Sequence, residues 1–595
     1  MPNAVSTDPR GEYVRRMELR RASAAQQDRL DVRVSILRLI VFLAALVISW
    51  LSFGSGLFSG WWLLLPAAAF LVLLQLHERI RVARGRFERA AAYYSRGIDR
   101  IEGRWRDCGE PGNRFLDEDH PYAGDLDIFG GGSLFQLICG ARTRAGEETL
   151  ASWLRAPASA GVILARQEAI EELRAGLDLR EDLAVLGAEG LAGVNPGPLS
   201  DWGTAPPLLV SRRMRIAAAL LSTATTLSLA SWLVRDSGMY VFLLLAALQG
   251  VFSFSVRRGI QQVLEAVERP GQDLELLSMV LRRLELERFQ SSRLAALGLE
   301  LTAGGTLSSR QIAGLNRRIT MQKQLFRPIA ALLLWDIQMA YAIESWRIGS
   351  GRLVERWLAV CGEMEALCSL AGYAYEHPLD PFPEIAATGP HFEAEGMGHP
   401  LIHEDHCVRN DIRLSPDLLV LVVSGSNMSG KSTLVRTVGT NAVLGLAGSP
   451  VRARRLKLSP LVVGASVQRK DSLHAGTSRF YAEITRLRHI VDLTAGGTPL
   501  LFLLDELLHG TNSRDRGIGA EAFIRDLVRR GAFGLLTTHD LALAHIADVL
   551  APRAENVHFE DAIENGKLVF DYRLRPGIVR RSNALELMRS IGLEV

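Results

Sequence analysis

Residues 418–433 read LLVLVVSGSNMSGKST, an aliphatic run that leads directly into a glycine-containing loop. Six consecutive aliphatic residues, 418–423, are typical of a strand buried on both faces. The loop that follows has the spacing G-x-x-x-x-G-K-[ST], in which backbone amide groups surround phosphates and the next helix directs its positive end toward them. The sequence therefore predicts an α/β domain with a phosphate-binding loop.

Each position of this loop has an expected task in holding a nucleotide and Mg²⁺. The ammonium group of Lys431 is expected to reach the β- and γ-phosphates, and the hydroxyl of Ser432 to ligate the metal. Glycines allow the backbone to wrap closely around the phosphates. The predicted nucleotide-binding residues are Gly425, Ser426, Asn427, Met428, Ser429, Gly430, Lys431, Ser432 and Thr433.

Two further apolar runs end in residues that suit phosphate chemistry. Residues 500–504 lead into Asp505, which is expected to hold Mg²⁺ through water, and Glu506, which is expected to polarise the attacking water as general base. Residues 533–536 lead into Thr538 and His539, and a histidine beside the γ-phosphate can sense or stabilise it. This prediction requires the acidic pair to face the loop from an adjacent strand.

The overall composition of the chain excludes few classes of function. A chain of 595 residues is expected to hold three to five domains, at roughly 100–200 residues per domain. The net charge of +3 argues neither for nor against nucleic-acid binding. The cysteines show no metal-binding spacing and are expected to be reduced thiols in a cytosolic compartment. They are Cys108, Cys139, Cys361, Cys368 and Cys407.

Long uncharged stretches occur in two pairs, which predicts four transmembrane helices in two hairpins. Residues 39–76 carry no charge and are interrupted by glycines and serines at 54–60, while residues 216–234 and 237–256 form the second pair. Arginines flank both pairs, so the positive-inside rule directs the flanks to the cytoplasm. We expect a bacterial inner-membrane protein with a cytoplasmic α/β domain. The alternative is a pair of helical hairpins buried in a soluble core.

The loop also resembles that of the MutS family, which is distinguished by Asn-Met inside the loop. Asn427 and Met428 occupy these positions here, and the general phosphate-loop pattern does not require them. Other stretches resemble MutS proteins in the same order along the chain. They are 398–401, 410–411, 464–466, 471–473, 476–483, 505–512, 538–539 and 576–593. Far upstream, residues 126–135, 143–146, 153–154, 157 and 166–167 resemble the start of the helical MutS core, or lever, domain.

This resemblance implies an ABC-type ATPase domain, with ATP and Mg²⁺ as cofactors and a homodimer formed through the ATPase domains. Two protomers would enclose two nucleotides, with Ser478 of one subunit facing the γ-phosphate bound by the other. The implied catalytic residues are Glu506, His539 and Ser478, and the implied metal ligands are Ser432 and Asp505. DNA binding follows from the resemblance alone, because nothing resembles the mismatch-reading N-terminal domain of MutS.

The composition and the resemblance together divide the chain into seven segments. They are a cytosolic basic segment (1–35), transmembrane hairpin 1 (36–77), a juxtamembrane helix and linker (78–124), the first part of a MutS-like core domain (125–210), transmembrane hairpin 2 (211–258), lever-like long helices (259–378) and the MutS-like P-loop ATPase domain (379–595). One long helix is expected over residues 328–373.

Three functions remain open at this level. The first is a membrane-anchored MutS-like ATPase coupled to DNA, for which Arg452, Arg454 and Arg455 are candidate phosphate contacts or an ordinary solvated basic face. The second is a membrane scaffold, organised by ATP-driven dimerisation, that has no DNA role. The third is an ABC-type transporter subunit, which the scarcity of polar residues in the spans disfavours. The role of Arg479 is open.

Overall fold

A computed structural model of the protein describes residues 8–57, 59–188, 196–209, 211–235, 238–302, 307–426, 428–467, 479–508, 512–564 and 567–579. Within them the chain is mostly helical and carries two mixed β-sheets. The helices that precede the sheets are α1 (Pro9–Ser49), α2 (Leu64–Ile101), α3 (Leu134–Ile138), α4 (Arg144–Arg155), α5 (Ala160–Arg174), α6 (Leu177–Ala188), α7 (Pro196–Thr204), α8 (Arg212–Arg235), α9 (Met239–Ala266), α10 (Glu268–Glu285), α11 (Ser292–Leu301), α12 (Ser308–Gln324), α13 (Arg327–Leu332), α14 (Trp335–Ser350) and α15 (Leu353–Glu376).

Strands and helices alternate in the C-terminal part, as the sequence predicts for an α/β domain. The elements are β1 (Glu384–Ile385), β2 (Phe392–Met397), β3 (Asn410–Leu414), β4 (Val420–Ser424), α16 (Lys431–Ala447), β5 (Arg455–Leu458), β6 (Val462–Ser466), α17 (Arg479–Asp492), β7 (Leu500–Asp505), α18 (Ser513–Arg529), β8 (Phe533–Thr538), α19 (Leu541–Leu550), β9 (Ala554–Glu564) and β10 (Lys567–Pro576).

Helices α1 and α2 form one long antiparallel hairpin. The guanidinium of Arg84 lies 2.6 Å from the carboxylate of Asp28, and that of Arg38 lies over the ring of Phe70, 5.4 Å from its centroid. Both helices continue through the predicted segment boundaries after residues 35 and 77. From Pro9 onward, the basic N-terminal segment and the first part of the uncharged stretch 39–76 therefore belong to a single helix, α1.

Helices α8 and α9 form the second hairpin. At its tip the rings of Trp232 and Phe242 stack with their centroids 5.9 Å apart. Halfway along α9, the amide of Gln249 donates hydrogen bonds to the carbonyl oxygens of Ala331 and Leu332, at 2.6 and 2.9 Å. The carbonyl of Leu332 ends α13, so the side chain supplies a partner that the helix itself does not, while the carbonyl of Ala331 also accepts the N–H of Leu334 at 3.2 Å.

Four helical stretches have the length and composition of membrane spans, which confirms the expected long apolar helices. They are Pro9–Gly54, Gly60–Ile101, Arg212–Arg235 and Met239–Glu285. Their apolar side chains are largely exposed on the protein surface. That these helices cross a membrane remains a prediction.

The single long helix expected over residues 328–373 is wrong, because α13, α14 and α15 divide this stretch. Leu334 adopts a left-handed conformation with φ of 50°, which ends the first of them. The second ends near Gly351, where the backbone meets Gly203 so closely that a Cβ would lie 2.1 Å from its carbonyl oxygen. Buried Arg347, paired with Glu344 of the same helix at 2.7 Å, fixes this crossing by donating hydrogen bonds to carbonyl oxygens of residues 202–206, at 2.7–3.1 Å.

The larger sheet has six strands in the order β10-β9-β4-β8-β7-β6, and the five from β9 to β6 are parallel. The carboxyl ends of β4, β7 and β8 therefore share one edge. The requirement that the acidic pair lie on a strand adjacent to β4 is wrong, since β8 lies between β4 and β7. The pair nevertheless faces the loop, because Oε1 of Glu506 lies 3.8 Å from the ammonium of Lys431. The smaller sheet has the order β1-β5-β2-β3, and Asn410 of β3 joins it to β10 of the larger one by hydrogen bonds to the backbone of Tyr572 and Leu574.

Asp125 joins the helical part to the larger sheet. Its buried carboxylate lies 2.5 Å from the guanidinium of Arg486 on α17 and accepts the amide of Val467 at 3.1 Å. The next residue, Leu126, packs so closely on Gly439 of α16 that a Cβ there would lie 2.5 Å from it. The stretch 126–135 is thus held against the helix that starts at Lys431.

Arg452 makes a second junction, at the end of α15. Its guanidinium is buried, lies 3.3 Å from the carboxylate of Asp380 and also binds Glu404. Both alternatives for Arg452, a DNA phosphate contact and a solvated basic face, are therefore wrong, because its charge is already engaged inside the protein. Arg454 and Arg455 are exposed, and Arg455 lies 3.2 Å from Glu384.

The central position of β8 leads to a prediction on Gly534. A Cβ at this residue would lie 1.9 Å from the carbonyl oxygen of Phe502 in β7, and that backbone oxygen cannot move aside. We expect Gly534→Ala to destabilise the protein by more than the ~1–3 kcal/mol usual for overpacking. The measurement is the thermal unfolding midpoint of the detergent-purified chain.

The matched control is Gly517→Ala on α18, where a Cβ would meet nothing within 4 Å. Alanine is the better helix former, so this variant should be stabilised by about 0.5–1 kcal/mol. An unchanged midpoint for Gly534→Ala would contradict the pairing of β8 with β7.

Candidate functional site

The loop between β4 and α16 lies at the carboxyl edge of the larger sheet. It ends at Gly430, whose φ of 101° strains any residue with a side chain, and α16 begins at the next residue. Met428 also has a positive φ of 71°, and its side chain is 86% exposed. Asn427, a predicted binding residue, lies outside the described residues.

Lys431 is buried beneath this loop. Its ammonium group donates hydrogen bonds to the carbonyl oxygens of Gly425 and Ser426, both at 2.8 Å. The same group lies 3.8 Å from Oε1 of Glu506, so the predicted cation and general base lie within ion-pair distance. Burial lowers the pKa of Lys431, while the negative charges of Glu506 and Asp505 act in the opposite direction.

The acidic pair at the end of β7 is fixed by a residue of the neighbouring strand. The hydroxyl of Thr537 in β8 donates to Oδ1 of Asp505 and accepts the backbone N–H of Glu506 at 3.1 Å. Glu506 has a φ of 51°, a left-handed conformation that is strained for a residue with a side chain. The strand inserted between β4 and β7 therefore holds the carboxylates in place.

His539 approaches the same carboxylate from the end of β8. Its Nδ1 lies 3.2 Å from Oε1 of Glu506, the oxygen that also faces Lys431. The next residue, Asp540, caps α19 by accepting the N–H of Ala542 and pairs with Arg516 at 2.7 Å. The structure thus brings together three predicted functional residues, Lys431, Glu506 and His539.

A cavity of about 700 Å³ opens over the loop and the acidic pair. One wall consists of predicted residues: Met428, Gly430, Lys431, Ser432, Thr433, Asp505 and Glu506. Gly425, Ser426 and Ser429 belong to the same loop but do not line this cavity. The sequence predicts no binding role for the opposite wall, although its stretch 398–401 resembles MutS proteins. That wall contains Met397, His399, Ile402, His406, Cys407 and Val408.

The opposite wall has fixed polar groups. His399 is buried, and burial together with the nearby Arg436 lowers its pKa to about 4, so the ring is neutral at physiological pH. Its Nδ1 accepts the N–H of Leu401 at 3.1 Å, which leaves the proton on Nε2. Tyr572, with a φ of 54°, closes the cavity beside Gly430.

The donors of the site fit a nucleotide and a magnesium ion. The hydroxyls of Ser426 and Ser429 are buried and have no hydrogen-bond partner among the described residues. Within that part of the chain there is no cluster of three metal-binding side chains. Mg²⁺ commonly takes only one or two ligands from the protein and the rest from water and phosphate oxygens. The hydroxyl of Ser432 and the carboxylate of Asp505 fit this pattern.

Several predicted residues fall outside the described ranges. Ser478, the expected contributor to the partner's site, is one of them, together with the resembling stretches 471–473 and 476–478, residues 509–511 and most of 576–593. Arg479 begins α17, and its side chain is likewise not described. Their predicted roles stay predictions.

The C-terminal part of the chain is similar to MutS proteins. The family model for MutS domain V matches residues 421–594. The DNA mismatch repair protein MutS of Natronomonas pharaonis is 35% identical over 238 residues, which are 39% of this chain and 27% of that protein. The endonuclease MutS2 of Thermus thermophilus is 30% identical over 215 residues, 35% of this chain and 27% of that protein.

A third relative gives the same picture. The DNA mismatch repair protein MutS 2 of Halobacterium salinarum is 35% identical over 249 residues, 40% of this chain and 28% of that protein. The chain thus spans about a quarter of the length of these curated relatives. The upstream resemblance to the MutS core domain lies outside the matched domain and stays a prediction. Over residues 421–594 the chain is therefore similar to domain V of MutS proteins.

Proposed function

We propose that the chain is a membrane-anchored P-loop ATPase of the MutS type, which binds ATP with Mg²⁺ over the 425–433 loop and hydrolyses it. One observation carries the proposal. The ammonium of Lys431 and the carboxylate of Glu506 lie 3.8 Å apart at the floor of a 700 Å³ cavity, at the shared edge of β4, β8 and β7. The relation to the MutS family supports the same function.

The chain's own residues would hold the substrate as follows. Lys431 exchanges the carbonyl oxygens of Gly425 and Ser426 for phosphate oxygens, which are stronger partners for a buried ammonium group. Ser432 and Asp505 would hold Mg²⁺, which neutralises charge on the phosphates.

Glu506 is the proposed general base. Its carboxylate accepts a proton from the attacking water, and its strained backbone keeps it at the cavity floor. His539 orients this carboxylate through the 3.2 Å contact of its Nδ1. Thr537 keeps Asp505 and Glu506 in register, so the metal ligand and the base move as one unit.

We further propose that two chains act together, as the MutS resemblance implies. Ser478 of one protomer would complete the γ-phosphate side of the partner's cavity. The exposed Met428 beside that cavity is an apolar group that such an interface would cover. Coupling to DNA is part of this proposal, because relatives that share the C-terminal domain are named DNA mismatch repair proteins.

A scaffold without a DNA role is the second candidate. The burial of Arg452 favours it, since this removes one of the three arginines proposed to contact phosphates. The match to mismatch repair proteins is also confined to about 40% of the chain. A fluorescence anisotropy titration with duplex, mismatched and branched DNA distinguishes the two candidates, because the scaffold predicts no binding at low salt with or without ATP.

The proposed anchor is connected to the nucleotide cavity by buried polar contacts. Arg100 on α2 binds Glu376, the last residue of α15, at 2.5 and 2.8 Å, and the hydroxyl of Tyr13 donates to the same carboxylate. Four residues later, Asp380 holds Arg452, which binds Glu404 in the segment that lines the cavity. We propose that this route transmits the nucleotide state to the hairpin.

The hydrolysis site is tested by separating binding from turnover. Lys431→Ala should lose both ATP binding and hydrolysis, whereas Glu506→Gln should still bind ATP but hydrolyse it about 10²–10⁴-fold more slowly, because only the base is removed. Fluorescent-nucleotide titration and phosphate release are the two measurements. Lys457→Ala, a lysine on β5 outside the cavity, is the control. Unchanged turnover in Glu506→Gln would refute its role.

The membrane topology is tested with single cysteines in a chain whose native cysteines are replaced. Ser55→Cys lies in the turn of hairpin 1, and Ser211→Cys lies at the opposite, basic end of hairpin 2. We expect a membrane-impermeant maleimide to label Ser55→Cys in intact cells and Ser211→Cys only after permeabilisation. Equal labelling of both positions before permeabilisation would contradict the spanning hairpins.

A further inference from the structure

A small second cavity lies at the base of α2, on the helical side of the protein. It has a volume of about 290 Å³, and its walls come from the end of α2, residues 105–110, the end of α3 and the start of α4. Three arginines line it, Arg96 and Arg100 from α2 and Arg142 from the segment before α4. It is independent of the nucleotide cavity, with which it shares no lining residue.

The charges of this cavity are not balanced by its own residues. Arg100 is engaged by Glu376, and Glu147 on the opposite wall lies 2.6 Å from Arg114. Arg96 and Arg142 form no ion pair or side-chain hydrogen bond within the described part of the chain, and Nε of Arg142 is buried without a partner. The remaining carboxylate, Glu110, accepts the backbone N–H of Gly112 at 3.3 Å.

The two unpaired guanidinium groups repel each other and Arg100. Burial lowers the pKa of Arg142, which reports the cost of removing its charge from water. Proteins rarely keep buried charges unless an opposite charge is bound beside them. A pair of like charges facing one cavity is therefore the arrangement expected of an anion site.

We propose that this cavity binds a small soluble anion carrying a phosphate group, held between Arg96 and Arg142. The planar guanidinium donates paired hydrogen bonds that match phosphate oxygens. The volume lies at the lower end of the roughly 300–1,000 Å³ of ligand pockets, which suits inorganic phosphate or a small phosphate ester rather than a polymer.

The position on α2 decides between a soluble anion and a lipid headgroup. Arg96 lies twenty residues beyond Leu76, the end of the uncharged stretch, which is about 30 Å along a helix at 1.5 Å per residue. Lipid phosphates at the end of the proposed span are therefore out of reach. A bound anion would instead join α2 to the segment before α4, and so stiffen the base of hairpin 1.

The test uses the full-length chain in detergent with Lys431→Ala, so that phosphate cannot bind at the 425–433 loop. Equilibrium dialysis with radiolabelled inorganic phosphate should find one bound phosphate per chain. Adding Arg96→Gln or Arg142→Gln should weaken binding at least tenfold. Arg106→Gln, an exposed neighbour that does not line the cavity, should leave it unchanged. Glycerol 3-phosphate should compete for the site, whereas vesicles of phosphatidic acid should not.

The unfolding temperature is a second readout, and its first prediction does not require phosphate binding. In phosphate-free buffer, Arg142→Gln should raise the unfolding temperature, because it removes a buried charge that forms no ion pair within the described part of the chain and that Arg96 and Arg100 repel. Added phosphate should raise the unfolding temperature of Lys431→Ala but not of Lys431→Ala with Arg142→Gln. The proposal is overturned if Lys431→Ala binds no phosphate, if both glutamine variants bind it unchanged, or if only the lipid vesicles compete.

Discussion

The buried ammonium group of Lys431 is the constraint on which the candidate site depends. A lysine charge is costly to bury, and here it is held by two carbonyl oxygens of its own loop and by the nearby carboxylate of Glu506. These contacts pull the loop, the start of α16 and the end of β7 into one place. Without the acidic pair, the buried charge of Lys431 would lose the opposite charges that stabilise it.

The supports of this arrangement come from outside the loop. Thr537 on the intervening strand fixes both carboxylates, and Asp125 from the helical part ties down Arg486 and the end of β6. The acidic pair is thus anchored to β8, and the end of β6 to the helical part of the protein. The proposed coupling to the membrane hairpin rests on other contacts, those of Glu376 with Arg100 and of Arg452 with Asp380 and Glu404.

The sequence predicted the parts of the site that depend on local pattern. The aliphatic runs became β4, β7 and β8, and the loop residues could be named because their spacing is set by backbone geometry. The order of the strands could not be predicted, since β8 is inserted between β4 and β7 by long-range packing that no local pattern records. The cavity wall around His399 could not be predicted either, because long-range packing also brings it to the loop.

Tertiary contacts also decided the outcome for other residues. The composition made Arg452 look like a surface charge, but Asp380 and Glu404 draw it into the interior. Helical periodicity predicted one helix over 328–373, and the close approach of Gly351 to Gly203 divides it. The long apolar helices, by contrast, could be predicted from the uncharged stretches alone, because about twenty apolar residues in succession are typical of such helices.

The most direct test of the proposed nucleotide site is a cryo-electron microscopy structure of the full chain with Mg²⁺ and a non-hydrolysable ATP analogue. The account predicts density for the analogue between the 428–433 loop and the wall that contains His399, with the ammonium of Lys431 moved from the carbonyls of Gly425 and Ser426 onto phosphate oxygens. It would be contradicted if Lys431 kept both carbonyls while the analogue bound elsewhere, or if none bound at saturating concentration.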